Sequence, residues 1–217
     1  MYKQNTIQYE YVPESVYRDS QRIFELDILP NVKSILYRHS ITFNCNLIGS
    51  ASRHLVTRRK DKTKGYDLDY NFELQRYPED PALIKQKIIE AFNRVVPEYG
   101  YEYCEDSTTV ITIKKLTKAG DKIHHSFDIA ITAYDDDDIY YIHYDKKSKQ
   151  YIWNSRGGKI HLGKKIGCIQ RYYNADVYDV IADDYLHLKN TNKDGNKRSF
   201  CLCAEAINNE YNHVQQI

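Results

Sequence analysis

The stretch GYDLDYNFEL, residues 65–74, places two aspartates on either side of a single leucine. Side chains alternate along a strand, so Asp67 and Asp69 are predicted to share one face, opposite an apolar face that includes Leu68. Carboxylates at that spacing lie about 6.5–7 Å apart and repel each other by about 2.5 kcal/mol at an effective dielectric of about 20. A divalent cation reverses the sign, because carboxylate oxygens are the ligands that Mg²⁺ prefers. The pair therefore predicts a metal site.

A third aspartate lies in the run SFDIAI, residues 126–131, where apolar neighbours on both sides predict another strand. If that strand pairs beside the first, Asp128 stands next to Asp67 and Asp69. Three carboxylates at one edge of a sheet are typical of a site for two cations about 3.5–4 Å apart. In such a site one cation activates an attacking hydroxyl, and the other neutralises the leaving phosphates.

The GS pair in LIGSAS, residues 47–52, predicts a phosphate-binding turn. Gly49 lets the backbone approach a phosphate closely, and the Ser50 hydroxyl with successive backbone N–H groups can bind its oxygens. A helix that begins there adds a favourable dipole. We expect Arg53 to join Gly49 and Ser50 in binding the nucleotide. Together with the aspartates, the turn predicts transfer of a nucleoside monophosphate from a nucleoside triphosphate (NTP) to an acceptor.

The elements that must position these residues follow from hydrophobic periodicity and from turn residues. A helix over residues 15–39 is expected to break at Pro30, because proline removes a helical hydrogen bond. A strand over 41–48 leads into the GS turn, after which a short helix is expected, and residues 58–65 are predicted to be a loop. The remaining predicted elements are a helix at 79–94, hairpins at 108–134 and 139–154, and helices near 176–189 and 197–213.

This order of elements predicts an α+β fold with a mixed β-sheet, a broken N-terminal helix and a C-terminal helical part. Residues 1–150 are expected to form the core that carries the site, and residues 151–217 the helical part packed on it. For the predicted site to exist, the three aspartates must converge beside the GS turn. If they do not, the chain is a binding domain of another α+β fold.

Composition limits the classes of partner. The 217 residues are 41% hydrophobic, which suffices for one sizeable core. With 31 basic and 30 acidic residues the net charge is +1, so no strong general binding to nucleic acid or membranes is expected. No apolar run reaches the ~20 residues that span a bilayer, and the polar start MYKQNTIQYE is not a signal peptide, so a cytoplasmic location is expected. The five cysteines lack zinc-site spacing.

The motifs LIGSAS, YDLDYNFEL and SFDIAI, in that order, resemble the polymerase-β-like nucleotidyltransferase superfamily. The long interval between Ser50 and Asp67, with a long N-terminal helix, is similar to the branch of oligoadenylate synthetases, cyclic-GMP-AMP synthases and bacterial CD-NTases. The resemblance covers about residues 15–134, and the chain is shorter than full-length synthetases of that branch. It implies a mixed-sheet nucleotidyltransferase core and an enzyme that releases pyrophosphate.

The resemblance also implies roles for the residues that match its motifs. Asp67 and Asp69 would bind both metals and the triphosphate, and Asp128 would bind the catalytic metal and draw the proton from the acceptor hydroxyl. Gly49 and Ser50 would hold the β and γ phosphates. The cofactor implied is Mg²⁺ or Mn²⁺, and the substrate is an NTP, most often ATP. The acceptor stays open between a nucleotide, as in second-messenger synthesis, a small molecule, a tRNA and a protein.

Each candidate residue also has a purely structural interpretation. Ser50 can be a helix N-cap, the basic residues 58–64 a solvated loop, and His124 and His125 partly exposed strand residues. Lys189, with Tyr172 and Tyr173, can contact a base or a phosphate, or simply pack between helices. A catalytically silent nucleotide-binding protein on the same fold is the alternative from another class.

Overall fold

The computed structural model describes residues 7–76, 80–135, 138–155, 162–194 and 197–216. Within these ranges the strands are β1 Tyr9–Tyr11, β2 Phe43–Ile48, β3 Thr57–Arg59, β4 Tyr66–Leu74, β5 Glu105–Asp106, β6 Val110–Leu116, β7 Ile123–Asp135, β8 Asp138–Asp145 and β9 Gln150–Ser155. The α-helices are α1 Glu14–Arg22, α2 Leu29–Tyr37, α3 Pro81–Val95, α4 Gly163–Tyr173, α5 Val177–Val180, α6 Ala182–Thr191 and α7 Ser199–Gln215.

A mixed sheet of seven strands forms the centre of the fold. Five strands lie in the order β2-β4-β7-β6-β5, β8 pairs with β7, and β9 pairs with β8. The strands β4 and β7 are parallel, and the other neighbours in this sheet are antiparallel. The long strand β7 pairs with β6 along its first part and with β8 along its last part. The predicted α+β class, the mixed sheet and both hairpins are therefore confirmed.

One face of the sheet is covered by the N-terminal helices and α3. The Phe24 ring centroid lies 4.5 Å from those of Tyr70 on β4 and Phe127 on β7. Phe92 of α3 stacks on Phe24 at 6.1 Å. All four rings are buried, as the alternation along β4 and β7 predicts. The opposite face of these strands is thereby left to the polar residues.

The N-terminal helix does not break at Pro30, contrary to the sequence expectation. A π-helical segment, Ile23–Ile28, joins α1 to α2 without interruption. In it the N–H of Leu29 bonds to the carbonyl of Phe24, five residues back. Proline supplies no N–H and crowds the carbonyl four residues before it, so a widened turn just ahead of Pro30 accommodates the ring. The helix therefore stays continuous over the sheet.

Residues 58–65 are not all loop, contrary to the prediction. The strand β3 pairs antiparallel with β1 in a separate two-stranded sheet. Arg58 stands opposite Glu10, and the Arg58 Nε lies 2.7 Å from the Glu10 Oε1. This cross-strand ion pair compensates part of the charge that had indicated a solvated loop. The N-terminal strand is thereby joined to the chain segment that follows the GS turn.

The C-terminal part contains more helices than predicted. The sequence prediction missed α4, because Gly163 and Gly167 each disfavour a helix by about 1 kcal/mol relative to alanine. The helix predicted near 176–189 is divided at Ile181 into α5 and α6. The short helix expected after the GS turn is a 3-10 turn, Ala51–Arg53.

The C-terminal helices enclose a second hydrophobic cluster. Leu55, just after the GS turn, is buried in it, so the turn is attached to these helices. The other buried members are Ile169, Val177, Ile181, Tyr185, Leu202, Cys203, Ala206 and Ile207. The strand β9 carries the sheet on to Ser155, past residue 150, where the first part of the chain was expected to end. None of the described helices combines the length and apolar character needed to cross a bilayer.

Replacing Gly65 with alanine should destabilise the protein, because the added Cβ would lie 1.8 Å from the carbonyl oxygen of His124. That oxygen belongs to the backbone of β7 and cannot move without weakening the pairing with β4. Overpacking of this kind costs about 1–3 kcal/mol or more. Urea denaturation should therefore show a reduced free energy of unfolding.

The matched control is Gly163→Ala, because nothing lies within 4 Å of the added Cβ at that position. It should leave the free energy of unfolding unchanged or slightly raised. Equal stability of the two variants would contradict the close approach of β4 and β7 at Gly65.

Candidate active site

The parallel pairing of β4 with β7 brings the three predicted aspartates together. Asp69 stands directly opposite Asp128, and Asp67 stands opposite Ser126. Along both strands the flanking residues are buried in the core while the aspartates are half-buried on the other face. On the far side of β4, Ile48 at the end of β2 is the partner of Asp69. The GS turn begins at the next residue, so it lies beside the carboxylates.

Gly49 is required by both its conformation and its surroundings. Its φ is +69°, a left-handed conformation that favours glycine. A Cβ at this position would lie 2.1 Å from the Oδ2 of Asp69. The Ser52 hydroxyl donates a hydrogen bond to the Gly49 carbonyl at 3.1 Å and braces the turn. Backbone and carboxylate therefore meet without an intervening side chain.

A cavity of about 660 Å³ opens over this face, between the GS turn, β4, α6 and α7. Five of the six predicted site residues line it: Gly49, Ser50, Arg53, Asp67 and Asp69. Asp128 is one strand further from the opening and is not part of the wall. The other side of the cavity is lined by residues of α6, of α7 and of its N-cap: Tyr185, Lys189, Arg198, Ser199, Phe200 and Cys203. The cavity volume falls in the range typical of small-molecule sites, about 300–1,000 Å³.

Two of the three carboxylates already have partners. Asp67 accepts a hydrogen bond from the Ser126 hydroxyl at 2.5 Å, and its other oxygen lies 3.3 Å from the Lys64 ammonium. Asp128 accepts a hydrogen bond from the Thr112 hydroxyl at 2.7 Å. In the described part of the chain, no three histidine, cysteine, aspartate or glutamate side chains are arranged to hold a metal ion.

Negative charge nevertheless accumulates at Asp69. Burial, and then the charges of Asp128 and Asp67, raise the pKa of Asp69 to about 6, while Arg53 and Lys189 oppose the rise. Burial also raises the pKa of Asp128, against the hydrogen bond from Thr112. Carboxylate oxygens on adjacent strands whose charges destabilise one another are a donor set that fits a hard divalent cation. The donor chemistry fits a metal, although the carboxylates are not gathered around one point.

Lys189, for which the sequence left open contact with a base or a phosphate or simple packing between helices, lines the cavity. Its ammonium reaches the cavity and donates to the Thr57 hydroxyl at 2.6 Å, the Ser199 hydroxyl at 3.2 Å and the Tyr185 hydroxyl at 3.4 Å. Among the described residues no carboxylate forms an ion pair with it, and burial lowers the pKa of Lys189 to about 8. The spacing of Tyr185 and Lys189 on one helical face was the available signal.

Arg53 extends from the GS turn towards the C-terminal helices. Its guanidinium lies 5.8 Å from the Tyr178 ring centroid and 5.7 Å from that of Phe200. Phe200 is 43% exposed at the mouth of the cavity. The two contacts fix the arginine between aromatic faces and leave its N–H groups available.

The histidines beside Asp128 play a structural part. His125 is buried, lies 3.0 Å from the Tyr101 hydroxyl and stacks on Tyr66, and burial lowers its pKa to about 3. It is thus a neutral core residue, not the partly exposed residue expected. His124 contacts the His125 ring through Nδ1 at 2.8 Å. Neither histidine lines the cavity.

Comparison with known proteins gives a structural answer only. No protein-family profile matches the chain, and no curated protein matches it. Its fold is similar to that of the bacterial CD-NTase CdnG and of the cyclic AMP-GMP synthase DncV. The resemblance inferred from the motifs is therefore confirmed in the fold.

Two solved structures illustrate the similarity. The CD-NTase CdnG of Bradyrhizobium diazoefficiens in complex with GTP matches with a TM-score of 0.61 and 15% identity, over 94% of this chain and 67% of CdnG. The Vibrio cholerae cyclic AMP-GMP synthase DncV, in complex with a linear intermediate pppA(3′,5′)pG, matches with a TM-score of 0.51 and 14% identity, over 91% of this chain and 53% of DncV. The chain thus spans about half the length of DncV.

Asp69→Asn should stabilise the metal-free protein at pH 7.5 by about 1–3 kcal/mol, because it removes a buried and repelled charge. The folded-state pKa of about 6 lies above the ordinary value of 3.8, so the cost of the carboxylate is fully present above about pH 6. The cost disappears below about pH 4, where the carboxyl is protonated in both states. Urea denaturation with EDTA at pH 7.5 and pH 4 measures the difference.

Glu73→Gln is the matched control, because Glu73 lies on the same face of β4 and accepts a hydrogen bond from Asn46 at 2.9 Å. It should give no comparable gain. If Asp69→Asn stabilised the protein equally at both pH values, charge would not be the cause.

Proposed function

We propose that the protein is a metal-dependent nucleotidyltransferase that moves a nucleoside monophosphate from an NTP to a hydroxyl acceptor and releases pyrophosphate. The observation that carries the proposal is the position of Asp69. It lies between Asp67 and Asp128, against the backbone of Gly49, at the floor of a cavity that also contains Lys189. The aspartates would bind the metals of a triphosphate, and the GS turn would bind its phosphates. The Lys189 ammonium, which has no ion-pair partner among the described residues, would neutralise part of the phosphate charge.

The phosphate oxygens would be bound from two sides. The Ser50 hydroxyl and the backbone of the GS turn face them from the sheet, and the Lys189 ammonium faces them from α6. The Ser199 hydroxyl, already within hydrogen-bond distance of Lys189, lies on the same wall. Arg53 supplies a second cation next to the turn. These residues orient the triphosphate so that its α-phosphate faces the aspartates.

We propose Asp67, Asp69 and Asp128 as the ligands of Mg²⁺ or Mn²⁺. When bound, the cations neutralise charge on the transferring and leaving phosphates and lower the pKa of the acceptor hydroxyl. Asp67 must exchange its present contacts with Ser126 and Lys64 to take part. We further propose, from the motif resemblance, that Asp128 would draw the proton from the acceptor hydroxyl, although it lies one strand behind the cavity wall.

For the acceptor we propose a second nucleotide, with ATP as the donor. The support for a nucleotide acceptor is the fold, because CdnG was solved with GTP and DncV with a linear dinucleotide intermediate. ATP as the donor rests on the motif resemblance alone. A small molecule, a tRNA and a protein are the alternative acceptors. We also propose that residues 1–150 supply the carboxylates and the turn, and residues 151–217 the cation that faces them.

A second candidate is a nucleotide-binding protein without turnover on the same fold. The observation that favours it is that, among the described residues, the side chains of Asp67, Asp69 and Asp128 do not converge on one point where a metal ion could bind. Lys64 beside Asp67 neutralises part of the charge that a metal would otherwise compensate. The two candidates differ in metal-dependent release of pyrophosphate.

The test is incubation with ATP, GTP, CTP and UTP, singly and mixed, in Mg²⁺ or Mn²⁺, with analysis of pyrophosphate and nucleotide products. The double variant Asp67→Asn, Asp69→Asn should reduce turnover at least about 100-fold, because both removed charges are proposed metal ligands. Glu73→Gln is the matched control and should retain turnover, since Glu73 does not line the cavity.

Turnover that persists in the double variant would contradict the assignment of the site. Nucleotide binding without turnover, also after addition of a cell extract that supplies other acceptors, would favour the second candidate. Absence of both binding and turnover would contradict nucleotide chemistry at this cavity.

A further inference from the structure

The strand β1 lies far from Lys189 in sequence but is joined to its helix. The backbone N–H of Tyr9 donates to the Asn190 Oδ1 at 2.6 Å, and the Asn190 Nδ2 donates to the Tyr9 carbonyl at 3.3 Å. The Tyr11 hydroxyl donates to the Ala182 carbonyl at 2.6 Å, near the start of the same helix. The helix α6 is thus tied to β1 at both ends.

The same strand is tied to the wall of the cavity on its other side. It pairs with β3 through three positions, and Tyr11 stands opposite Thr57. Thr57 accepts the shortest hydrogen bond of the Lys189 ammonium, at 2.6 Å. The Tyr9 ring centroid lies 5.0 Å from that ammonium. The strand β1 therefore joins α6, which carries Lys189, to β3, which carries its hydrogen-bond partner Thr57.

Lys189 lies near the C-terminal end of α6, so the contacts of β1 with that end affect the position of its ammonium. Lys189 and Asn190 lie in the last turn of a helix of 10 residues that ends at Thr191, and no side chain caps that helix at its N-terminus. The last four carbonyls of an α-helix generally lack intrahelical partners, so the last turn frays readily. In α6 the His187 carbonyl is satisfied by the Thr191 hydroxyl and the Leu188 carbonyl by the Asn192 N–H. The contacts of the ammonium are with neutral hydroxyls and rings, which restrain its position less than an ion pair would. A separate restraint on the helix end is needed to keep the cation in the cavity.

We propose that Asn190 is a positioning residue for the anion subsite of the cavity: its amide locks the last turn of α6 onto β1 and so holds the Lys189 ammonium facing the GS turn. The inference rests on the proposed function, because it names the residue that places the proposed triphosphate-binding cation. Asn190 does not line the cavity. Its effect must therefore pass through Lys189.

The experiment measures binding of α,β-methylene-ATP with Mg²⁺ by calorimetry to the unmodified protein and to Asn190→Ala. Removal of both hydrogen bonds to Tyr9 should weaken binding about 5- to 10-fold. The control is Thr191→Ala, because the Thr191 hydroxyl bonds only within its own helix, to the His187 carbonyl at 2.9 Å. It should bind as the unmodified protein does.

A double-mutant cycle separates positioning from a general loss of structure. In Lys189→Met the cation is absent, so the further change Asn190→Ala should weaken binding less than about twofold. If Asn190→Ala weakened binding equally with and without Lys189, it would act through general destabilisation and the inference would fail. Thermal unfolding without nucleotide shows whether each variant is folded.

Two further outcomes distinguish failure of the inference about Asn190 from failure of the proposed function. Binding by Asn190→Ala equal to that of the unmodified protein would overturn the inference and leave the proposed function standing. Absence of nucleotide binding by the unmodified protein would overturn the proposed function, and the inference with it.

Discussion

The parallel register of β4 and β7 is the constraint on which the site depends. It sets Asp69 beside Asp128 and forces their like charges into a partly buried position that the fold alone does not stabilise. The apolar sides of the same strands form the floor of the main core, so the register cannot slip by one residue without exposing that core. Packing of the core therefore keeps the Asp69 and Asp128 carboxylates close together in spite of their mutual repulsion. The cavity, the glycine turn and the facing helices all take their positions from this pairing.

Short-range patterns in the sequence were enough to predict most of the sheet and one side of the cavity. The alternation around Asp67 and Asp69 and the GS turn at residues 49–50 are local signals, and both lie where expected. The hairpin β6–β7 follows from turn residues at 117–121, but the pairing of β7 with β4 that brings Asp128 to the other aspartates was assumed and not signalled locally. What the patterns did not predict is that Asp67 and Asp128 each face a hydroxyl, because hydroxyl partners depend on register across strands.

The other side of the cavity could not be predicted because its contacts join distant parts of the chain. The sequence left open whether Lys189 contacts a phosphate or packs between helices, and the meeting of α6 with β3 brings its half-buried ammonium to the cavity. The pairing of β1 with β3 was hidden by basic residues, of which Arg58 is compensated by Glu10 across the two strands. The π-helical segment before Pro30 has a local cause, because it accommodates the proline ring, but hydrophobic periodicity does not signal it. The other two errors share one cause, since Lys189 and the β1–β3 pairing are decided by partners outside any local window.

The bond between Tyr9 and Asn190 joins residues 181 positions apart, and the bond between Lys189 and Thr57 joins residues 132 apart. Closing loops of that length costs chain entropy before the contacts repay it, so such contacts form late in folding. The hairpins β6–β7 and β8–β9 are local, whereas the β4–β7 pairing that gathers the carboxylates and the docking of α6 both join distant residues. The cavity is consequently complete only when α6 and α7 have docked, so during synthesis on the ribosome it cannot close until both helices have emerged.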